Sequence, residues 1–284
     1  MLATDPRIRR LVAKTLEEDS AWEDITTLAT IPPHWQGKGQ IVAKASGILA
    51  GLEVAALAFE LRDPSVRFHG IVSDGAHLEP GMGVAVVQGP VASILGAERT
   101  ALNFLQRLSG IATETARYVQ AVAGTRARLV DTRKTTPGLR TLEKYAVRVG
   151  GGYNHRTHLG DGILVKDNHL AAMAAAGLDM VQGLRQIRDR VPHTLRVEVE
   201  VTSLEQLQQA LEAGVDAVLL DNMPVELMRR AVQIVGGRAL VEASGGIRLN
   251  NVRAVAETGV DIISVGALTH SVTALDMSLE LEQG

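Results

Sequence analysis

The sequence has no cysteine, which removes disulfides, thiolate zinc sites and cysteine nucleophiles together. Aromatic residues make up 3% of the 284, too few for the stacking platforms that bind single-stranded nucleic acid. A basic excess is also missing: the formal net charge is −3 and the isoelectric point near 6.3, which argues against a nucleic-acid partner. No apolar run approaches the ~20 residues of a membrane span. The N-terminus, MLATDPRIRRLVAKTLEED, is charged and amphipathic, without the apolar core of a secretion signal. Together these absences predict a cytoplasmic protein acting on small molecules.

Positive charge is nonetheless concentrated in one place. From Arg126 to His169 there are nine Lys/Arg against four Asp/Glu, with His155, His158 and His169 among them. Such a window in a mildly acidic chain suggests a site for a small, highly charged anion. The spacing of Arg140, Lys144 and Arg148 equally fits a solvated helix face. Arg133-Lys134 and Lys166 fit that reading less well. They follow the apolar, strand-like runs Leu129-Val130 and Ile163–Val165, and α/β folds place their active sites at such strand ends.

The N-terminal part reads as α+β. Asp5 to Asp19 has helical periodicity, Glu23–Thr27 is a polar segment, and Lys38–Lys44, Gly47–Ala50 and Val84–Gln88 read as strands around a short helix at Leu52–Leu61. A long helix spans Ala97–Ala123. From Arg128 onward, strand-like runs at 129–130, 163–165, 197–201, 217–220, 239–241 and 262–265 alternate with helices at 139–149, 204–213, 225–235 and 252–257. This alternation predicts parallel βαβ units, and with no Gly-x-Gly-x-x-Gly after the first strand it favours a barrel over a dinucleotide-binding sheet. The expected fold is thus an open, TIM-like α/β barrel over 111–270, with an N-terminal α+β sandwich over 1–110 that takes up a tail at about 271–284.

The last two barrel strands run into Ser244-Gly245-Gly246 and Val265-Gly266-Ala267, the latter followed by His270. Barrels commonly bind phosphate with these two loops, because glycine lets backbone N–H groups approach an oxyanion closely. Glu198 and Glu200 alternate with valines on one strand face, and Asp221 closes the run Val218–Leu220. Carboxylates at neighbouring strand ends suit Mg2+ held jointly with substrate phosphates, and Glu200 and Asp221 are the expected contributors; they equally suit partnership with the basic cluster. No His/Glu spacing suggests a transition-metal site.

Several segments together, in this order and spacing, carry a resemblance. They are Glu98–Phe104, Asp131–Gly138, Gly150–Arg156, Leu164–His169, Glu198–Glu200, Leu220–Met223 and Glu242–Gly246. The chain resembles the quinolinate phosphoribosyltransferase family over nearly its whole length. The resemblance implies an N-terminal sandwich and an open α/β barrel. It implies the reaction of quinolinate with phosphoribosyl pyrophosphate (PRPP) to give nicotinate mononucleotide, pyrophosphate and CO2 in NAD biosynthesis. It also implies a homodimer, or a hexamer built from dimers, in which Arg99 is lent across the interface.

Carried over residue by residue, the resemblance puts Arg133, His155, Arg156 and Lys166 at quinolinate and Lys134 between quinolinate and the PRPP phosphates, with Thr132 also among the substrate-binding residues. Glu200 and Asp221 face the ribose and the magnesium pyrophosphate. Ser244, Gly245 and Gly246, with Val265, Gly266, Ala267 and His270, hold the 5′-phosphate. The catalytic set is Lys134, Lys166, Glu200 and Asp221. Two positions depart from the family pattern: Glu23 stands where a glycine is usual, and His158 where a small or uncharged residue is usual.

Other readings make different demands. A phosphoribosyltransferase-like protein associated with molybdate transport would lack the intact Lys-Asp-Asn-His and Glu-Lys-Tyr-Ala-Val segments, which are present here as 166–169 and 143–147. A Schiff-base lyase would use Lys166 as nucleophile. A non-catalytic anion-binding protein would need the cations but not Glu200 and Asp221.

Overall fold

The computed structural model describes residues 2–282. The chain forms two compact units. The first comprises the residues up to Ala116, Thr136–Gly151, and the chain from Val272 onward. Its elements are α1 (Pro6–Glu18), α2 (Ile25–Thr30), β1 (Gln36–Ala43), β2 (Gly47–Ile48), α3 (Leu52–Arg62), β3 (Arg67–Gly70), β4 (His77–Leu78), β5 (Gly83–Pro90) and most of α4 (Val91–Ala121). The second unit covers Arg117–Thr135 and Gly152–Ser271. It begins with β6 (Arg128–Val130); α5 (Arg140–Val149) lies in the stretch that belongs to the first unit. The second unit continues with β7 (Ile163–Val165), α6 (Asp167–Ala175), α7 (Met180–Arg190), β8 (Val197–Val201), α8 (Leu204–Ala213), β9 (Ala217–Asp221), α9 (Val225–Val235), β10 (Leu240–Ser244), α10 (Val252–Ala256), β11 (Ile262–Ser264) and α11 (Ala267–His270). The C-terminal β12 (Met277–Leu281) returns to the first unit.

In the first unit, an antiparallel sheet has the order β12-β1-β5-β3. The tail joins it by pairing Gly39 with Leu281 and Ala43 with Met277. Asp5 caps α1 by accepting the amide of Arg7, and α1 buries Ile8, Val12 and Leu16. The polar segment at Glu23–Thr27 is not a loop: Asp24 caps α2 by accepting the amide of Thr26. Glu23 therefore precedes the cap and is not within the helix. Of the basic residues on α5, Lys144 is buried, Arg140 half-buried and Arg148 exposed, so the solvated-face reading fails for Lys144. The neighbouring Glu143 is buried as well and pairs with Arg107 at 2.6 Å. No helix among the described residues is long and apolar enough to cross a membrane.

The second unit is built on six parallel strands in the order β6-β11-β10-β9-β8-β7. Closure runs through β6 and β11, and the ring is open between β6 and β7. Alternation along β8 buries Val197, Val199 and Val201 and turns Glu198 and Glu200 to the opposite face. At the strand starts, Asp216 accepts the amide of Val197 and Asp261 that of Val241, which ties each strand to its neighbour's register.

Helix α4 packs closely against the chain leading to β12. Leu275 donates its amide to Gln106 O, and Gln106 Nε2 donates to Met277 O at 2.8 Å. A methyl group on Gly110 would overlap the carbonyl oxygen of Thr273. Gly110→Ala should therefore lower stability by about 1–3 kcal/mol, outweighing the roughly 1 kcal/mol that alanine gains in a helix. Urea unfolding of the variant against the parent checks this.

Candidate active site

The C-terminal ends of the six parallel strands enclose a cavity of ≈ 570 Å³. Its wall includes Thr132, Arg133 and Lys134 after β6, His155 and Arg156 in the loop before β7, and Lys166 after β7. Glu200, Asp221, Glu242 and the Ser244–Gly246 loop complete it, with Asn222, Leu164, Leu219 and Ser264. Among the site residues expected from sequence, Val265, Gly266, Ala267 and His270 do not line this cavity. Arg99 does not line it either and is exposed on α4 in the first unit. Val265 is buried and donates its amide to Val130 O. Gly266 separates His270 from Lys134: a methyl there would lie 3.1 Å from His270 Nε2 and 3.2 Å from Lys134 Cδ.

Where the ring is open, the fully buried Asp131 does the work of a missing strand. Its carboxylate accepts the side-chain amide of Asn154 at 2.6 Å and the backbone amide of His155 at 2.9 Å. Its own amide donates to Tyr153 O, and Tyr153 forms an isolated parallel bridge with Val130. The chain then turns so that Arg156 donates its amide to His155 Nδ1 at 2.8 Å and its Nη1 to Gly162 O at 3.2 Å. His158 is absorbed by this same loop. Its Nε2 pairs with Asp161 at 2.6 Å and its Nδ1 accepts the amide of Gly160, so the departure from the family pattern is a local loop contact.

Two charge pairs organise the interior. Lys166 Nζ lies 3.1 Å from Glu200 Oε2. His155 Nε2 lies 3.5 Å from Glu198 and 3.3 Å from Glu242. Burial disfavours the charged imidazole, but the hydrogen bonds and charges of the two glutamates overcome it and raise its pKa to about 10. Burial also pushes the Glu198 carboxyl up, with Glu242 adding to the effect and His155 opposing it. The amide contact at Nδ1 requires a lone pair there. In this arrangement the ring proton therefore sits on Nε2, toward Glu198 and Glu242. Burial and the charge of Arg133 lower the pKa of Arg156.

The same three residues bring one ligand atom each to within 4.8 Å of one another, a grouping that their distant sequence positions conceal. Glu200 and Asp221 supply hard oxygen donors to the cavity from adjacent strands, the donor chemistry that suits magnesium. Glu198, Glu242 and Asp131 were not expected as site residues. Only the polar residue inside an apolar strand, as in Val241-Glu242-Ala243, hinted at the second of them.

The glycine loop is fixed by its neighbour. Asn222 takes a positive φ of 51°, donates its amide to Ser244 O and its side chain to Asp221 at 2.8 Å. Gly245 has φ 82°, and a methyl on it would overlap the Asn222 side chain.

Known proteins with this architecture narrow its identity. The description "Quinolinate phosphoribosyl transferase, C-terminal domain" matches residues 111–280, and its N-terminal counterpart matches 24–109. The chain belongs to the quinolinate phosphoribosyltransferase family. It is 47% identical to the nicotinate-nucleotide pyrophosphorylase [carboxylating] of Mycobacterium leprae over 279 residues, covering 96% of each chain. It is 41% identical to the probable enzyme of that name in Bacillus subtilis, covering 97% of this chain and 93% of the relative. The solved NadC from Streptococcus pyogenes superimposes with a TM-score of 0.92 at 44% identity, covering 97% of this chain and 96% of that one.

In this family member the tight Gly245 turn is a structural requirement. Gly245→Ala should cost about 1–3 kcal/mol through positive φ and overlap with Asn222. The expected result is a lower thermal midpoint, with the Gly245→Ala step costing less in an Asn222→Ala background, where the side-chain overlap is gone and only the φ penalty of Gly245 remains.

Proposed function

We infer that the chain is a quinolinate phosphoribosyltransferase, joining quinolinate to PRPP and releasing pyrophosphate and CO2 to form nicotinate mononucleotide. The observation that carries this reading is one cavity lined together by Arg133, Arg156, Lys134 and Lys166 and by Glu200, Asp221 and a glycine loop. Quinolinate is a dianion, and guanidinium groups bind carboxylates bidentately while staying charged. Arg133 and Arg156 are the carboxylate readers, and Lys166 contributes a third cation. Its pairing with Glu200 is a specific argument against a Schiff-base role, since the amine is engaged by a carboxylate.

The ring nitrogen of quinolinate attacks the anomeric carbon of PRPP as the bond to pyrophosphate breaks. Lys134 faces the charge growing on the leaving group, and Glu200 or Asp221 faces the positive charge growing on the ribose. Glu200 and Asp221 would hold magnesium brought with PRPP, directly or through water, and the ion would supply charge neutralisation at the pyrophosphate. Ser244, Gly245 and Gly246, which line the cavity, hold the 5′-phosphate. Once the ring nitrogen is cationic, the carbon–carboxylate bond beside it breaks, CO2 leaves, and the electron pair left next to N⁺ takes up a proton. The protein positions charges and forms no covalent intermediate. In a homodimer or larger assembly, Arg99 of a second copy would add a further cation. The expected compartment is the cytoplasm, in keeping with the lack of cysteine.

An end-point assay of purified protein with PRPP and magnesium, comparing quinolinate with nicotinate, tests the reading. Equimolar nicotinate mononucleotide and CO2 from quinolinate alone are expected; turnover of nicotinate, or PRPP binding without turnover, would contradict it. Arg133→Ala and Arg156→Ala should raise KM for quinolinate about tenfold or more, while Glu200→Ala and Asp221→Ala should mainly lower kcat, by about 10²-fold. Steady-state kinetics of the four variants separates the two classes.

A further inference from the structure

The ring of His155 lines the cavity, yet both of its nitrogens are engaged by the protein. Nε2 faces Glu198 and Glu242, and Nδ1 receives the amide of the next residue, Arg156. Glu242 is 1% exposed and sits in the middle of β10, paired in register with Leu219 on one side and Ile262 on the other. Its Oε2 is 3.3 Å from the ring, while its Oε1 has no hydrogen-bond partner among the described residues. A carboxylate buried in this way is costly, and removing a partner from such a group disturbs whatever it holds. What it holds is a ring whose other nitrogen fixes the peptide amide of Arg156. Asp131 fixes the preceding peptide, so the backbone entering Arg156 is anchored from two strands, β6 and β10.

We propose that Glu242 is a positioning residue for quinolinate binding: through the His155 ring it sets the backbone at Arg156 and thereby the direction of the Arg156 guanidinium. The proposal rests on the reading of Arg156 as a carboxylate reader. Glu242 borders the cavity but is almost wholly buried, and its carboxylate reaches the site through the His155 ring at 3.3 Å. Its influence is therefore confined to quinolinate and passes through Arg156, while the PRPP side of the cavity is served by other residues.

The test is a double-mutant cycle in steady-state kinetics with quinolinate, PRPP and magnesium. Glu242→Ala should raise KM for quinolinate by about tenfold and leave KM for PRPP within about twofold, with a smaller loss in kcat. Glu242→Gln, which keeps the size and an acceptor oxygen, should recover KM to within about threefold of the parent. In an Arg156→Ala background, Glu242→Ala should add less than about twofold, because the residue through which it acts is gone. Full additivity, an equal rise in KM for PRPP, or an unchanged quinolinate KM in Glu242→Ala would each overturn the proposal. An unchanged quinolinate KM in Arg156→Ala alone would refute the role of Arg156 and the proposal with it. A raised value there beside an unchanged Glu242→Ala would refute the proposal only. If Glu242→Ala fails to fold, His155→Phe cuts the same link from the other end. It should show the same quinolinate-only loss, and weakening of both substrates would overturn the proposal.

Discussion

The buried carboxylate of Asp131 is the constraint on which the rest of the site depends. An open barrel lacks a strand ladder between β6 and β7, so the loop carrying His155 and Arg156 has no sheet to hold it. Asp131 supplies the missing hydrogen bonds at 2.6 and 2.9 Å, and the Val130–Tyr153 bridge extends the strand edge by one rung. Because Arg133 and Lys134 lie immediately downstream on the same chain, one buried acid fixes the two cationic segments relative to each other. A carboxylate accepting two amide hydrogens in a dry interior is well suited to this, since charged acceptors make the stronger hydrogen bonds and leaving them unmade is expensive.

Around that clamp, charge is arranged in layers. Glu198 and Glu242 both face the His155 ring, while Arg133, Arg156, Lys134 and Lys166 share the cavity wall with Glu200, Asp221 and Glu242. Such a cavity attracts a dianion and a polyphosphate without collapsing on its own charges, because each strand end is already tied to a neighbour. Asn222 performs the same office for the glycine loop that Asp131 performs for the arginines, holding β9 to the end of β10 through the Ser244 carbonyl. The chemistry then needs placement and electrostatics from the protein, which is what rigid strand ends provide.

Much of this was legible in the sequence because barrel strands are short apolar runs at steady intervals. The alternation Val-Glu-Val-Glu-Val at 197–201 reports both the strand and its acidic inner face. Helix α6 escaped notice since all of its residues are at least partly exposed, which leaves no apolar stripe to read. The sequence shows a polar segment at α2 and no helix, because a six-residue helix with one buried residue, Thr27, has too little periodicity to outweigh its polar composition. Strand β3 is short and largely exposed, β4 has only two residues, and β12 is a strand only because β1 offers it an edge. Lys144 looked like a solvated lysine on a helical spacing, and its burial is set by the fold of the first unit. The His155–Glu198–Glu242 cluster was invisible because its members are brought together by strand order and no local spacing encodes them.

Calorimetric titration of quinolinate into folded Asp131→Asn tests whether Asp131 places the cations proposed to bind quinolinate. An asparagine offers one acceptor oxygen and turns a donor toward either Asn154 or the His155 amide, so the clamp is half lost while side-chain volume is kept. The account predicts quinolinate affinity at least about tenfold weaker, with affinity for magnesium PRPP within about threefold of the parent. Unchanged quinolinate affinity in a variant with a normal unfolding transition would contradict it.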